Sequence, residues 1–235
     1  MFQFDSKIRY SEIDSHGYLS IPGILNYFQD CSSFQSDAVG LGLEYFKDLD
    51  RAWVVNFWHI RITKRPRYGS NIKISTWPYK FDKILGYRNF AIRDDNDELC
   101  VIGDSLWVYI DTKTGRPIKP TEAETSPYGL GTRYDIPEVS RKIKLPENMI
   151  PGDAFPVVRT NIDTNKHVNN EQYIEMAMEY LPSGKQVENI FVEYRTQAVL
   201  GDIIHPKYEI TDTTCTVALC NEKDKPYAIV KFEML

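Results

Sequence analysis

IDSHGYLSIPGILNYF (residues 13–28) and IDTNKHVNNEQYIEMA (residues 162–177) align without a gap, and this internal duplication governs how the whole chain is read. In both copies Ile-Asp opens a short polar loop, an aliphatic residue follows (Leu19, Val168), and a helical pattern begins. The constant offset pairs Asp14 with Asp163, His16 with Asn165 and Tyr18 with His167. The first helix is expected to start at Ser20, a capping residue, with Pro22 in its first turn, where the missing N–H does no harm. Its buried stripe would hold Ile24, Leu25, Phe28 and Cys31. The second is expected from Asn169, with Gln172 at capping-box spacing and Tyr173, Ala177, Tyr180 and Leu181 on the apolar face.

After each helix come segments rich in β-branched and aromatic residues. In the first half they are 53–63, 71–81, 85–93 and 98–111, divided by turn signals such as Tyr68-Gly69-Ser70 and Asp94-Asp95-Asn96-Asp97. In the second half they are 187–196, 203–211, 214–221 and 227–234, and Leu200-Gly201-Asp202 stands where Tyr68-Gly69-Ser70 stood. The unit is a strand, a loop, one long helix and four strands, used twice. This predicts an α+β fold in which each central helix is wrapped by an antiparallel sheet and the two sheets join edge to edge, so that fewer edges stay open. The repeats are expected at residues 1–112 and 151–235. Residues 113–150, rich in Pro, Thr, Glu and Gly, read as a connector with one short helical turn.

Composition narrows the function. A net charge of -5 provides no basic field for a nucleic-acid partner. No stretch approaches the roughly 20 apolar residues of a membrane span, and the start MFQFDSKIRY lacks signal-peptide character, so no membrane insertion and a cytoplasmic location are expected. Cys31, Cys100, Cys215 and Cys220 show no CxxC spacing and sit among apolar or β-forming neighbours, as small buried hydrophobes do.

The densest polar cluster is Asn161, Asp163, Thr164, Asn165, Lys166, His167, Asn169 and Asn170, between a strand and a helix start. Turns and caps favour the same residue types. Two features favour chemistry. The duplicate loop keeps Asp14 but has His16 and Tyr18 in place of the amide and imidazole, so the turn alone does not require the set. A carboxylate, an amide, an imidazole and a helix N-terminus also suit acyl transfer. His16, His59 and His205 read as solvated or structural. Arg61, Lys64, Arg65 and Arg67 form a basic cluster, either a solvated face or a dock for an acidic protein. Phe28, Phe34, Phe57, Trp58 and Trp77 read as core, with the lining of an acyl pocket as the other reading.

The run RTNIDTNKHVNN (residues 159–170) resembles the catalytic loop of the acyl-ACP thioesterase family of bacteria and plant plastids, where an Asp-x-Asn-x-His-Val-Asn motif opens the central helix of the C-terminal hot-dog repeat. The likeness extends to RYSEID (9–14), the strand containing Trp53, WVYID (107–111) before a Thr-Gly-Arg-Pro turn, and VEYR (192–195). It implies two tandem hot-dog repeats, with the acyl chain lodged in the N-terminal half and the phosphopantetheine arm threading toward the catalytic loop. It further implies hydrolysis of fatty acyl-ACP thioesters, with acyl carrier protein as partner and no cofactor beyond the phosphopantetheine that the substrate carries. Asp163, Asn165 and His167 carry over as catalytic residues. Where plant members have a glutamate proposed to act on water, this chain has Gln197, which cannot be a base and is expected to position water. An acyl-CoA thioesterase and a non-catalytic acyl-thioester binder stay open, as do monomer and homodimer. A hydratase is the weaker reading, because Asp163 and His167 are four apart with no Asn-Pro step.

Overall fold

Ser20 accepts a hydrogen bond from the Gly23 N–H at 3.1 Å and starts α1 (Ile21–Ala38), as its sequence position predicts. The computed structural model describes residues 1–235. By contacts the chain forms two units, one of Met1–Asn56 with Ile60–Pro137, the other of Phe57–His59 with Glu138–Leu235.

In the first unit β1 (Phe2–Lys7), α1 and a short α2 (Leu43–Asp48) are followed by β2 (Arg51–Ile62), β3 (Asn71–Asp82), β4 (Leu85–Asp94) and β5 (Leu99–Asp111). The sheet order is β1-β3-β4-β5-β2, and β1/β3, β3/β4 and β4/β5 pair antiparallel. Ile24, Leu25, Phe28 and Cys31 of α1 are buried, and the Phe28 ring meets Phe90 of β4 at 4.9 Å. Of the aromatic residues expected in the core, Phe28, Phe57, Trp58 and Trp77 are buried. Phe34 is 45% exposed, because it lies on the α1 face turned toward the edge strand, where its ring meets Phe4. One charge sits inside this unit. Arg88 donates to Gln35 Oε1 and Thr76 Oγ1 with no carboxylate beside it, and burial lowers its pKa to about 10.

The segment after β5 is more ordered than a plain connector. It makes two short 3-10 turns, Glu122–Glu124 and Ser126–Tyr128. Tyr109 donates to Glu124, the Tyr128 and Ser36 hydroxyls meet at 2.9 Å, Trp77 Nε1 donates to the Thr132 carbonyl at 2.7 Å, and the Tyr134 N–H donates to Asn89 Oδ1 at 2.8 Å. These bonds explain why contacts carry the first unit as far as Pro137.

The second unit contains β6 (Ile150–Pro151), β7 (Phe155–Pro156), α3 (Asn170–Met178), β8 (Val187–Tyr194), β9 (Ile203–Ile210), β10 (Thr214–Cys220) and β11 (Pro226–Met234). The order is β8-β11-β10-β9-β6, with β7 also on β9, and all these pairs are antiparallel. His59 is structural here: its Nε2 lies 3.1 Å from Asn189 Oδ1 and its ring stacks on Phe191 at 4.5 Å.

Two expectations for the second helix fail. It runs only nine residues, so Tyr180 and Leu181 lie past its end, and Pro182 bars continuation. Asn169 caps it by accepting from the Glu171 N–H at 3.3 Å, but no capping box forms, because the Gln172 side chain is engaged by Asn161 at 2.6 Å and by Glu175 at 2.6 Å. All four cysteines are buried and unpaired. No helix is long and apolar enough to cross a membrane.

Candidate active site

The loop before α3 is a tight turn closed by its own backbone. The Asp163 N–H donates to the His167 carbonyl at 2.8 Å, the Lys166 N–H donates to the Asp163 carbonyl at 3.1 Å, and Ile162 bridges Val168. Lys166 takes φ +65°, in the left-handed region where its counterpart Gly17 sits at +79°. Asp163 Oδ1 accepts from the N–H groups of Asn165 (2.8 Å) and His167 (3.2 Å). Asp14 does the same in the first unit, accepting from His16 (2.9 Å) and Tyr18 (3.1 Å). One carboxylate oxygen is therefore a turn-forming group in both repeats.

The second oxygen separates them. Asp14 Oδ2 pairs with Arg65 Nη1 at 2.6 Å, whereas Asp163 forms no ion pair and its Oδ2 accepts no hydrogen bond. Hydrogen bonds from Tyr18 and Arg65 outweigh the upward push of burial and hold the Asp14 carboxyl below its usual range.

His167 is half-buried, and its Nδ1 is buried without a hydrogen-bond partner. Asn165 is exposed, and its side-chain amide forms no hydrogen bond within the chain. His167 bridges Val199, and the Val168 N–H donates to the Ala198 carbonyl at 2.9 Å. Gln197 thus belongs to the segment that lines up beside the loop; its side chain is exposed and unbonded. That segment is anchored to α3 by the Tyr173 hydroxyl, which accepts from the Ala198 N–H at 2.8 Å and is pushed up to about 12 by burial. The fold brings Asp163, Asn165 and His167 together on one turn and sets the Gln197 segment alongside. At the start of α3 the Asn170 N–H meets no acceptor, the kind of donor that stabilises an oxyanion.

The parts that three residues play at the site escape sequence reading. Glu171 is only 7% exposed, burial raises its pKa, and it accepts from Gln172 Nε2 at 3.2 Å. Tyr194 donates to the Asn170 carbonyl at 2.9 Å, and Tyr173 holds the facing segment. The acid at the second helical position signals a first turn, but nothing in the pattern signals its burial. The basic cluster is largely satisfied inside its own unit: Lys64 pairs with Asp94 (2.5 Å) and Glu98 (2.9 Å), Arg65 with Asp14, and Arg67 donates to the Tyr18 hydroxyl at 2.7 Å. A shallow cleft of the first unit, lined by Asp5, Lys7, Asn71, Lys73, Asp94 and Asp97, holds charges of both signs and is remote from the loop in sequence. No group of three His, Cys, Asp or Glu side chains is placed to hold a metal ion.

Comparison with known proteins gives concordant results. The family model for the acyl-ACP thioesterase N-terminal domain matches residues 1–128, and that for the acyl-ACP thioesterase C-terminal domain matches residues 148–232. A chloroplastic palmitoyl-acyl carrier protein thioesterase of Arabidopsis thaliana is 26% identical over 233 residues, covering 90% of this chain and 55% of the relative. The chain spans about half the length of the curated relatives it matches. Two solved structures share the fold. An acyl-ACP thioesterase from Bacteroides thetaiotaomicron superposes with a TM-score of 0.91 at 20% identity, covering 99% of this chain and 97% of that one. A 12:0-ACP thioesterase from Umbellularia californica gives 0.87 at 20% identity, covering 100% and 96%. The architecture is that of two tandem hot-dog units.

Proposed function

The chain belongs to the acyl-ACP thioesterase family, and from that premise we propose that it hydrolyses the thioester of a fatty acyl group carried on acyl carrier protein, releasing the free fatty acid. The observation that carries this reading is the state of Asp163: two backbone N–H groups fix one carboxylate oxygen, and the other is unpaired beside a histidine whose Nδ1 is also unpaired.

In this reading the Asp163 Oδ2 takes a proton from water as the water oxygen adds to the acyl carbon. The oxyanion so formed is met by the free N–H of Asn170 and the side-chain amide of Asn165. Collapse breaks the carbon–sulfur bond, and the departing phosphopantetheine thiolate takes up the proton. His167 and Asn165 orient the carboxylate and the thioester, and Gln197 holds the water by hydrogen bonds. Direct attack by Asp163 is the alternative first step; solvent oxygen appearing in its carboxylate after single turnover in labelled water would identify it. The first unit receives the acyl chain, and the substrate supplies the only prosthetic group.

Replacing Asp163 by Asn keeps the turn acceptor and removes the base. Turnover of acyl-ACP is expected to fall by about 10²–10⁴-fold with binding retained, measured by single-turnover hydrolysis and by titration with a non-hydrolysable acyl-ACP. Near-normal hydrolysis by that variant would overturn the assignment. Comparing one acyl chain on both carriers separates the ACP from the CoA reading. Saturable acyl-ACP binding with no hydrolysis by the unmodified protein would select a non-catalytic binder.

A further inference from the structure

The two loops can be compared atom by atom, because the same backbone bonds fix both. Asp14 N–H to Tyr18 carbonyl (2.8 Å) matches Asp163 to His167 (2.8 Å), and Ser20 to Glu12 (2.8 Å) matches Asn169 to Asn161 (2.8 Å). Leu19 to Pro66 (2.8 Å) matches Val168 to Ala198 (2.9 Å). Tyr18 bridges Arg67 as His167 bridges Val199. The glycine turns that follow agree as well, Gly69 at φ +79° and Gly201 at φ +90°. This register places Arg65 at the position of Gln197 and Arg67 at that of Val199. The chain offset differs here from that within the loop, since α1 is longer than α3 and the stretch from the end of α1 through β2 is longer than that from the end of α3 through β8.

With the backbones matched, the side chains at the two facing positions, 65 and 67 against 197 and 199, differ in charge. In the first unit Arg65 Nη1 binds Asp14 Oδ2 at 2.6 Å, Arg67 Nη2 donates to the Tyr18 hydroxyl at 2.7 Å, and the two guanidinium carbons lie 5.7 Å and 4.6 Å from the Tyr18 ring centroid. Both groups that would correspond to a reacting carboxylate and an imidazole are held by cations. In the second unit neutral Gln197 and Val199 stand at those positions, and Asp163 Oδ2 and His167 Nδ1 are unpaired.

We propose that the Asp14–Tyr18 loop is a retired copy of the catalytic loop, closed by Arg65 and Arg67, and that position 197 is a positioning residue whose neutrality keeps the outer oxygen of Asp163 free to react. This rests on the Asp163 reading above. An ion pair at Asp163 would occupy the oxygen that must receive the proton and would make the carboxylate a poorer base. Gln197 therefore contributes by what it does not carry as well as by its amide.

The test is a set of variants assayed on one acyl-ACP. Gln197→Met reports the loss of the amide alone. Gln197→Arg is expected to lower kcat at least a further tenfold below Gln197→Met with KM changed less than twofold, and its crystal structure to show the guanidinium on Asp163 Oδ2 as Arg65 sits on Asp14. Arg65→Gln is expected to leave kcat within twofold of the parent while lowering the melting temperature. Equal kcat for Gln197→Arg and Gln197→Met overturns the role of position 197. A tenfold loss of kcat in Arg65→Gln overturns the retired-copy assignment, since the first loop would then take part in turnover. Asp163→Asn keeps the two layers apart: if it turns over normally the catalytic reading fails, whereas if it is inactive while the two Gln197 variants match, only this inference fails.

Discussion

At the scale of single residues, the fate of each carboxylate follows from its partners. Asp14 and Asp163 share sequence position, turn and backbone donors, and differ through one guanidinium at 2.6 Å. Glu171 is the third acid of interest. Burial is the leading influence on it and raises its pKa above the usual carboxylate range, against the lowering hydrogen bond from Gln172. A carboxyl whose folded pKa lies above its unfolded one weakens the fold once pH exceeds the unfolded value, and the penalty disappears as pH falls below it. Glu171→Gln is therefore expected to raise the melting temperature at pH 7, with the gain shrinking toward zero near pH 4. A gain independent of pH, seen by melting the two proteins across that range, would refute the burial account.

At the scale of elements, the site depends on how α3 and the 197–199 segment are tied. Tyr173 is 1% exposed, and its hydroxyl is the acceptor for the Ala198 N–H. Tyr173→Phe removes that acceptor and leaves a buried N–H unsatisfied, a loss of about 1–3 kcal/mol. At roughly 2–4 °C per kcal/mol for a chain of this size, calorimetry can read it. The same variant is expected to lower kcat, because the segment carrying Gln197 loses its anchor. In α1 the cap is the corresponding weak point: Ser20→Ala is expected to lower stability by about 1 kcal/mol in denaturant melts. The strands were readable to within two or three residues, since alternation and turn residues act locally. The length of α3 and the side-chain partners of Gln172 were not, because Asn161 competes for the amide across a fold the sequence pattern does not contain.

At the scale of the whole molecule, charge is mostly settled internally. The net charge is -5, and Lys64, Arg65 and Arg67, the cations most available in the sequence for meeting an acidic carrier, are each bonded within their own unit. Under the proposed function, Lys64→Glu is expected to change kcat/KM on acyl-ACP by less than twofold, and by the same factor on acyl-CoA. A selective loss on acyl-ACP that deepens at low salt would restore this cluster as a docking face. The sequence by itself determined the duplication, the strand run of each repeat, and the Asp-x-Asn-x-His loop at a helix start, because periodicity, capping and turn chemistry depend on neighbours a few residues apart. Only the tertiary structure decided which oxygen of each loop aspartate is free, that Glu171 is buried, and that residues 113–137 pack on the first unit. Those outcomes depend on partners some 25 to 100 residues distant along the chain, such as Arg65 for Asp14, Tyr194 for Asn170 and Tyr128 for Ser36, and a one-dimensional pattern carries no record of which of many compatible partners the fold brings close.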